Sequence, residues 1–141
     1  MSTDLLLWPI VAQVLLSFVV AIRMAYERFQ VGMRERIQPH TIATRAAMAE
    51  RMPTTARSSD NFQNQFETPV LFIVAMLVAM QMQFVDPVLL GLAWVWVVLR
   101  HIHAVVHLTY NKVRHRFRAF LASVFVLAAI WGDIIYLHLS R

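Results

Sequence analysis

Four long apolar stretches, residues 5–22, 69–84, 88–106 and 120–139, constrain this chain more than anything else in it. Each has about the length a helix needs to cross ~30 Å of hydrocarbon. In water the 141 residues would have to hide all four behind little polar surface, since 59% of them are hydrophobic against a usual share of roughly 45–50%. The sequence therefore predicts an all-α integral membrane protein: a four-helix bundle, up-down-up-down, forming one domain over residues 1–141. A cytoplasmic loop over 23–68 and a basic loop over 107–119 complete the plan.

The formal charge of +5 is concentrated in those two loops. Arg23, Arg28, Arg34, Arg36, Arg45, Arg51 and Arg57 fall between the first two spans, and Lys112, Arg114, Arg116 and Arg118 between the last two. Cations that flank spans report topology rather than nucleic acid. By the positive-inside rule both loops are cytoplasmic, and both termini and the Val85–Asp86–Pro87 turn lie on the other side. Asp4 before the first span and Arg23 after it agree. No basic segment precedes the first apolar run, which is also too long for a cleaved signal peptide. Cysteine is absent, so disulfides, iron–sulfur clusters and a protein thiol nucleophile are excluded.

Local signals subdivide the loops. Trp8–Pro9 suits the first turn of a helix at interface depth. Arg23, Glu27 and Arg28 have helix-surface pairing distances, which carries the first helix past the membrane until Gly32 and Pro39. Residues 40–52 contain good helix formers, and Pro53 breaks that element. The second long helix is expected to start near Ser58 or Ser59 as its cap and to run on through a kink at Pro69. Gly91 allows close helix approach. Trp94 and Trp96 lie too deep for an interface belt and serve packing or lipid contact.

Charged groups inside a bilayer cost at least ~2.5–3.5 kcal/mol each on insertion scales, so they normally face protein or water. Three groups of them stand out, all towards the basic side. Asn64 and Glu67 lie one turn apart, with Gln63 beside them. Arg100, His103 and His107 follow i, i+3, i+7 spacing, and Tyr110 and Asn111 would continue that face. Arg114, Arg116 and Arg118 precede the last apolar run. Glu67 and Arg100 could be no more than an ion pair that fixes register. His101 falls off the stripe, and Asp133 and His138 are read as structural. His103 and His107 could share a metal with Glu67, but no further ligand motif accompanies them, so no metal is expected.

The segment Asn64-Gln65-Phe66-Glu67 followed by Pro69 resembles the N-x-x-E…P signature of the MAPEG family, membrane-associated proteins in eicosanoid and glutathione metabolism. Arg100 and His103 on the third helix, Arg116 at the head of the fourth, and the loop lengths extend the resemblance over nearly the whole chain. It implies a homotrimer of four-helix subunits in a bacterial-type branch, placed in the bacterial inner membrane. It also implies a glutathione cleft near the cytoplasmic side, between neighbouring subunits. Asn64 and Glu67 would hold the peptide part of glutathione, Arg100 and His103 would line the cleft, and Arg116 would be catalytic, next to the sulfur. The implied activity is a glutathione-dependent transferase or peroxidase acting on lipophilic electrophiles or hydroperoxides.

Two positions depart from the family pattern. Asp60 stands where many members carry an arginine one turn before the asparagine, Gln63 immediately precedes Asn64, and Arg57, a further turn back, is the nearest substitute. His107 stands where a tyrosine is common, with Tyr110 a turn further on. The rival reading is a non-catalytic scaffold or accessory subunit of a larger membrane complex, whose arginine loops hold anionic headgroups at ~1 kcal/mol each. A proton or ion pathway through Glu67, Arg100, His103 and His107 lacks the repeated half or broken helix pair of a transporter.

Overall fold

The computed structural model describes residues 2–140, and among these every regular element is helical. A 3₁₀ turn, Thr3–Leu6, leads into α1 (Leu7–Arg34). The short α2 (Arg45–Arg51) lies between the 3₁₀ turns Pro39–Ile42 and Pro53–Thr55. Then come α3 (Ala56–Asn64), α4 (Thr68–Gln81), α5 (Pro87–Leu108) and α6 (Val113–Leu139). Four helical stretches are long and apolar enough to cross a membrane: Thr3–Arg34, Pro53–Gln81, Pro87–Leu108 and Val113–Leu139. At 28 residues α1 is about 42 Å long, more than the hydrocarbon thickness, so it continues beyond the apolar stretch. Arg23 Nε and Glu27 Oε1 pair there at 2.9 Å, as their spacing requires.

Each long helix buries one stripe and leaves apolar side chains on the other faces, the arrangement expected of helices surrounded by lipid. The buried stripe of α1 is Pro9, Gln13, Leu16 and Val20. That of α5 runs Leu89, Ala93, Trp96, Arg100, His103 and His107, so one face is apolar at its start and polar towards its end. Trp96 stacks on Phe72 of α4, centroids 4.0 Å apart and planes 8° from parallel, while Trp94 is exposed. One tryptophan packs and its neighbour faces outward. A Cβ on Gly91 would meet nothing within 4 Å, so no neighbouring helix of this chain uses the space it leaves.

The second span departs from the expected continuous helix. Pro69 has no N–H to donate to the Gln65 carbonyl, and its ring would collide with that carbonyl in a helix. The chain therefore breaks over residues 65–67 and restarts, with Pro69 in the first turn of α4 where a missing N–H costs nothing. Neither serine caps α3. Its cap position is Thr55, and the hydroxyls of Ser58 and Ser59 donate back to the Thr55 carbonyl at 3.0 and 2.8 Å. By contrast, the Asp86–Pro87 turn does what its residues suggest: Asp86 Oδ1 accepts from Leu89 N at 2.7 Å and Pro87 opens α5. The fourth helix begins at Val113, two turns ahead of its apolar run, which places Arg114, Arg116 and Arg118 inside α6.

With three glycines in the chain, helix ends that favour glycine are made by other residues. After α1, Arg36 takes φ 51° and Ile37 N–H closes on Gly32 O at 3.0 Å. This is a left-handed terminus, which costs a side-chain-bearing residue roughly 1 kcal/mol relative to glycine. Arg36→Gly should therefore raise stability by about 1 kcal/mol, read as a shift in thermal unfolding in detergent. A lower midpoint would mean that the Arg36 side chain stabilises the terminus by more than its backbone strain.

Candidate functional site

The break over residues 65–67 gives α3 two polar faces with different work. Ser58, Asn61 and Gln65 point into the protein. Gln65 Oε1 accepts from Gln13 Nε2 of α1 at 2.9 Å, Gln65 Nε2 donates to Asn61 Oδ1 at 2.9 Å, and Asn61 Nδ2 donates to the Ala104 carbonyl of α5 at 3.0 Å. This ladder of three buried amides ties α1, α3 and α5 together. In an apolar surrounding such groups are stable only when paired, so the ladder fixes the rotation of α3.

With that rotation set, Asp60, Gln63, Asn64 and Glu67 form one wall of a cleft of about 380 Å³. His103 and His107 of α5, with Val113, Arg116, Phe117 and Phe120 of α6, make up the rest of its lining. The cleft thus sits at the end of the bundle where the basic α5–α6 turn emerges.

Arg116 is held by the turn itself. Asn111 adopts φ 47°, a left-handed conformation that asparagine tolerates, and its Oδ1 accepts from Arg116 Nη1 at 3.0 Å. The guanidinium lies in the first turns of α6, where the helix end adds to its positive field. His103 is 3% exposed, and its Nδ1 lies 3.1 Å from the Arg116 carbonyl. A carbonyl can only accept, so Nδ1 carries the hydrogen. His103 Nε2 and His107 Nδ1 are buried without a hydrogen-bond partner among the described residues.

The remaining sequence candidates lie elsewhere. Arg100, 1% exposed, does not line the cleft but sits behind it. Its Nη2 donates to the Asn64 carbonyl at 2.9 Å, where the end of α3 leaves that carbonyl free, and its guanidinium lies 5.9 Å from the Trp96 ring centroid. The alternative reading of Glu67 and Arg100 as an ion pair is not met: among the described residues the only pair within 4.0 Å is Arg23–Glu27. Glu67 occupies the cap position of α4, exposed and facing the cleft, which holds its carboxylate away from the buried guanidinium. Arg57 bends away to the Thr109 carbonyl, at 3.3 Å, and lines a separate hollow with Arg23 and Glu27. Tyr110 lies beyond the last residue of α5, so helical spacing no longer directs it. It is 54% exposed, with its hydroxyl 3.2 Å from His115 Nδ1. Among the described residues no three His, Cys, Asp or Glu side chains are grouped so as to hold a metal ion.

Comparison with family models finds the MAPEG family over residues 6–136, nearly the whole chain. The chain belongs to the MAPEG family. It is an integral membrane protein of that glutathione and eicosanoid metabolism family, whose members generally use glutathione. Comparison with curated proteins and with solved structures gives no match. The MAPEG match spans every residue of the cleft, from Asp60 to Phe120.

Several residues that shape this MAPEG site are not legible as a group from the sequence. Gln13, Asn61 and Gln65 meet only after folding, although Gln13 on the buried stripe of an apolar span and the i, i+4 pair Asn61–Gln65 are visible signals. Asn111 gains its role from a left-handed backbone that spacing does not reveal. Phe117 reads as part of the basic loop and Phe120 as the first residue of a span.

Proposed function

We propose that the cleft binds glutathione, and that the protein is a glutathione-dependent transferase or peroxidase for lipophilic electrophiles or hydroperoxides. The observation that carries this reading is Arg116, clamped by Asn111 at a cleft whose opposite wall is built of amides and carboxylates. A free thiol titrates near ~8.5, and a fixed guanidinium beside it raises the thiolate fraction. Asn64, Gln63 and Glu67 would hold the peptide amides and the ammonium group. Phe117, 57% exposed, and Phe120 present an aromatic edge to substrates arriving from the bilayer. Arg100 would act from behind by fixing the Asn64 backbone, while Arg57 and Tyr110 would stay outside the first contacts. In this reading the protein is a homotrimer in a bacterial inner membrane, with both termini on the non-cytoplasmic side. A pure scaffold is less well supported, because it has no use for unpartnered imidazole nitrogens beside an open cleft.

The direct test is turnover. Detergent-purified protein given reduced glutathione and 1-chloro-2,4-dinitrobenzene should form the thioether well above the solution rate, and a lipid hydroperoxide should be reduced if the peroxidase branch applies. No acceleration with either class of substrate would refute the reading.

Charge balance makes a further prediction. Asp60 and Glu67 both line the cleft, against Arg116 as the one guanidinium among the described residues that line it. Glutathione brings two carboxylates, and like charges at contact distance cost about 1 kcal/mol even in water. Asp60→Asn, at an exposed position, should therefore tighten glutathione binding about threefold to tenfold in calorimetric titration. Weaker binding would place the ligand's ammonium group at Asp60.

A further inference from the structure

We infer that His103 Nε2 is the acceptor of the thiol proton, an inference that rests on the proposed use of a thiol ligand. The geometry fixes the tautomer. His103 Nδ1 faces the Arg116 carbonyl at 3.1 Å and must donate to it, so in the neutral ring Nε2 carries a lone pair and no hydrogen. That nitrogen is buried and has no partner among the described residues, in a side chain that lines the cleft. A buried acceptor left bare is costly, and native proteins rarely leave one without a use. The ring is also fixed in place. His107 packs edge-on to it with centroids 5.9 Å apart, and Phe120 lies 5.8 Å away on the α6 side.

The same backbone segment connects the two groups that a thiol needs. The carbonyl that orients His103 belongs to Arg116, whose guanidinium is tethered to Asn111. One residue of α6 thus supplies the cation for the thiolate and sets the tautomer of the base. In the step inferred here, the ligand's S–H bond breaks and its proton forms an N–H bond on His103 Nε2. The sulfur electron pair, held by Arg116, then forms a bond to the electrophilic carbon of the second substrate. The leaving group departs with its bonding electrons, and the imidazolium releases its proton, restoring the neutral ring.

The test separates base from brace. In His103→Asn the amide nitrogen can still donate to the Arg116 carbonyl, while the acceptor at the Nε2 position is gone. His103→Gln places an amide near the Nε2 position instead and loses the brace. Glutathione binding is followed by calorimetry, thiolate formation by its ultraviolet absorbance as a function of pH, and turnover with 1-chloro-2,4-dinitrobenzene. His103→Asn should fold and bind glutathione like the parent, yet lose about 100-fold in turnover, at the lower end of what positioned bases contribute. Its bound thiolate should appear only at higher pH. Parental turnover and an unchanged thiolate profile in His103→Asn, with loss only in His103→Gln, would reduce His103 to a structural brace and overturn the inference. Absence of glutathione binding in the parent protein would instead remove the thiol reading itself, and this inference with it.

Discussion

Arg116→Met should lower glutathione-dependent turnover by about 10²- to 10³-fold while changing glutathione affinity much less. The range is that found when one preorganised donor is removed from a site where charge develops. Three observations make Arg116 the residue for which the largest loss is expected. Its guanidinium borders the cleft, its position is fixed by Asn111 Oδ1 at 3.0 Å, and it lies at the start of α6, where the helix end favours an anion. The thiolate forms only in the reactive state, so its stabilisation belongs in kcat more than in binding. Methionine has an unbranched apolar side chain close in length to the arginine stem, so the change is mainly in charge. Arg116→Lys should recover part of the loss, because a point charge replaces the fork without its geometry. If Arg116→Met turned over at the parental rate, the thiolate would have to be stabilised by another group. Among the described residues that line the cleft, the two imidazoles and the side-chain amides of Gln63 and Asn64 are then left to do it.

Gln65→Leu should destabilise the fold by about 2–3 kcal/mol, the largest stability loss expected of a near-isosteric change. Gln65 is 3% exposed and is the middle rung of the amide ladder. Its loss leaves Gln13 Nε2 with only a long 3.4 Å contact to Ser17 and leaves Asn61 Oδ1 bare. Each buried polar group stripped of its partner costs about 1–3 kcal/mol, although a membrane setting draws such values towards the lower end. The double change Gln13→Leu/Gln65→Leu should be less destabilising than the sum of the two single changes, since it removes both partners of one bond together. Unfolding in mixed micelles measures all three variants. Strict additivity would mean that the ladder does not couple α1 to α3. Because that ladder sets the rotation of α3, Gln65→Leu should also weaken ligand binding at the opposite face of the same helix.

The four spans were legible because length and hydropathy alone decide what a bilayer accepts. The inward face of α5 was legible too: Arg100, His103 and His107 fall on one helical stripe with Leu89, Ala93 and Trp96, and burying the apolar part carries the polar part inward. Spacing stops being informative where a helix stops. Tyr110 was expected to continue that stripe, but α5 ends at Leu108 and the side chain turns to His115. The break before Pro69 was hidden for a related reason. In the sequence Pro69 reads as a kink inside one long helix, whereas it stands in the first turn of a new one, where its missing N–H costs nothing. Arg100 shows the limit of charge logic. Glu67 is the one carboxylate read from the sequence as a candidate partner, yet the guanidinium donates to the Asn64 carbonyl that the helix break exposes. Trimer formation and orientation in the membrane rest on surfaces outside a single chain, and native mass spectrometry and accessibility labelling would decide them.

Whether the opening between α3, α5 and α6 receives a ligand is most directly tested by calorimetric titration of the detergent-purified protein with reduced glutathione. The proposal requires saturable heat at or below millimolar ligand, weakened at least about tenfold by Glu67→Ala and accompanied by a rise in thermal midpoint. Millimolar glutathione that gives neither heat nor a thermal shift would contradict it, and the paired groups around Asn64 and Arg116 would then be no more than the fastening of a membrane bundle.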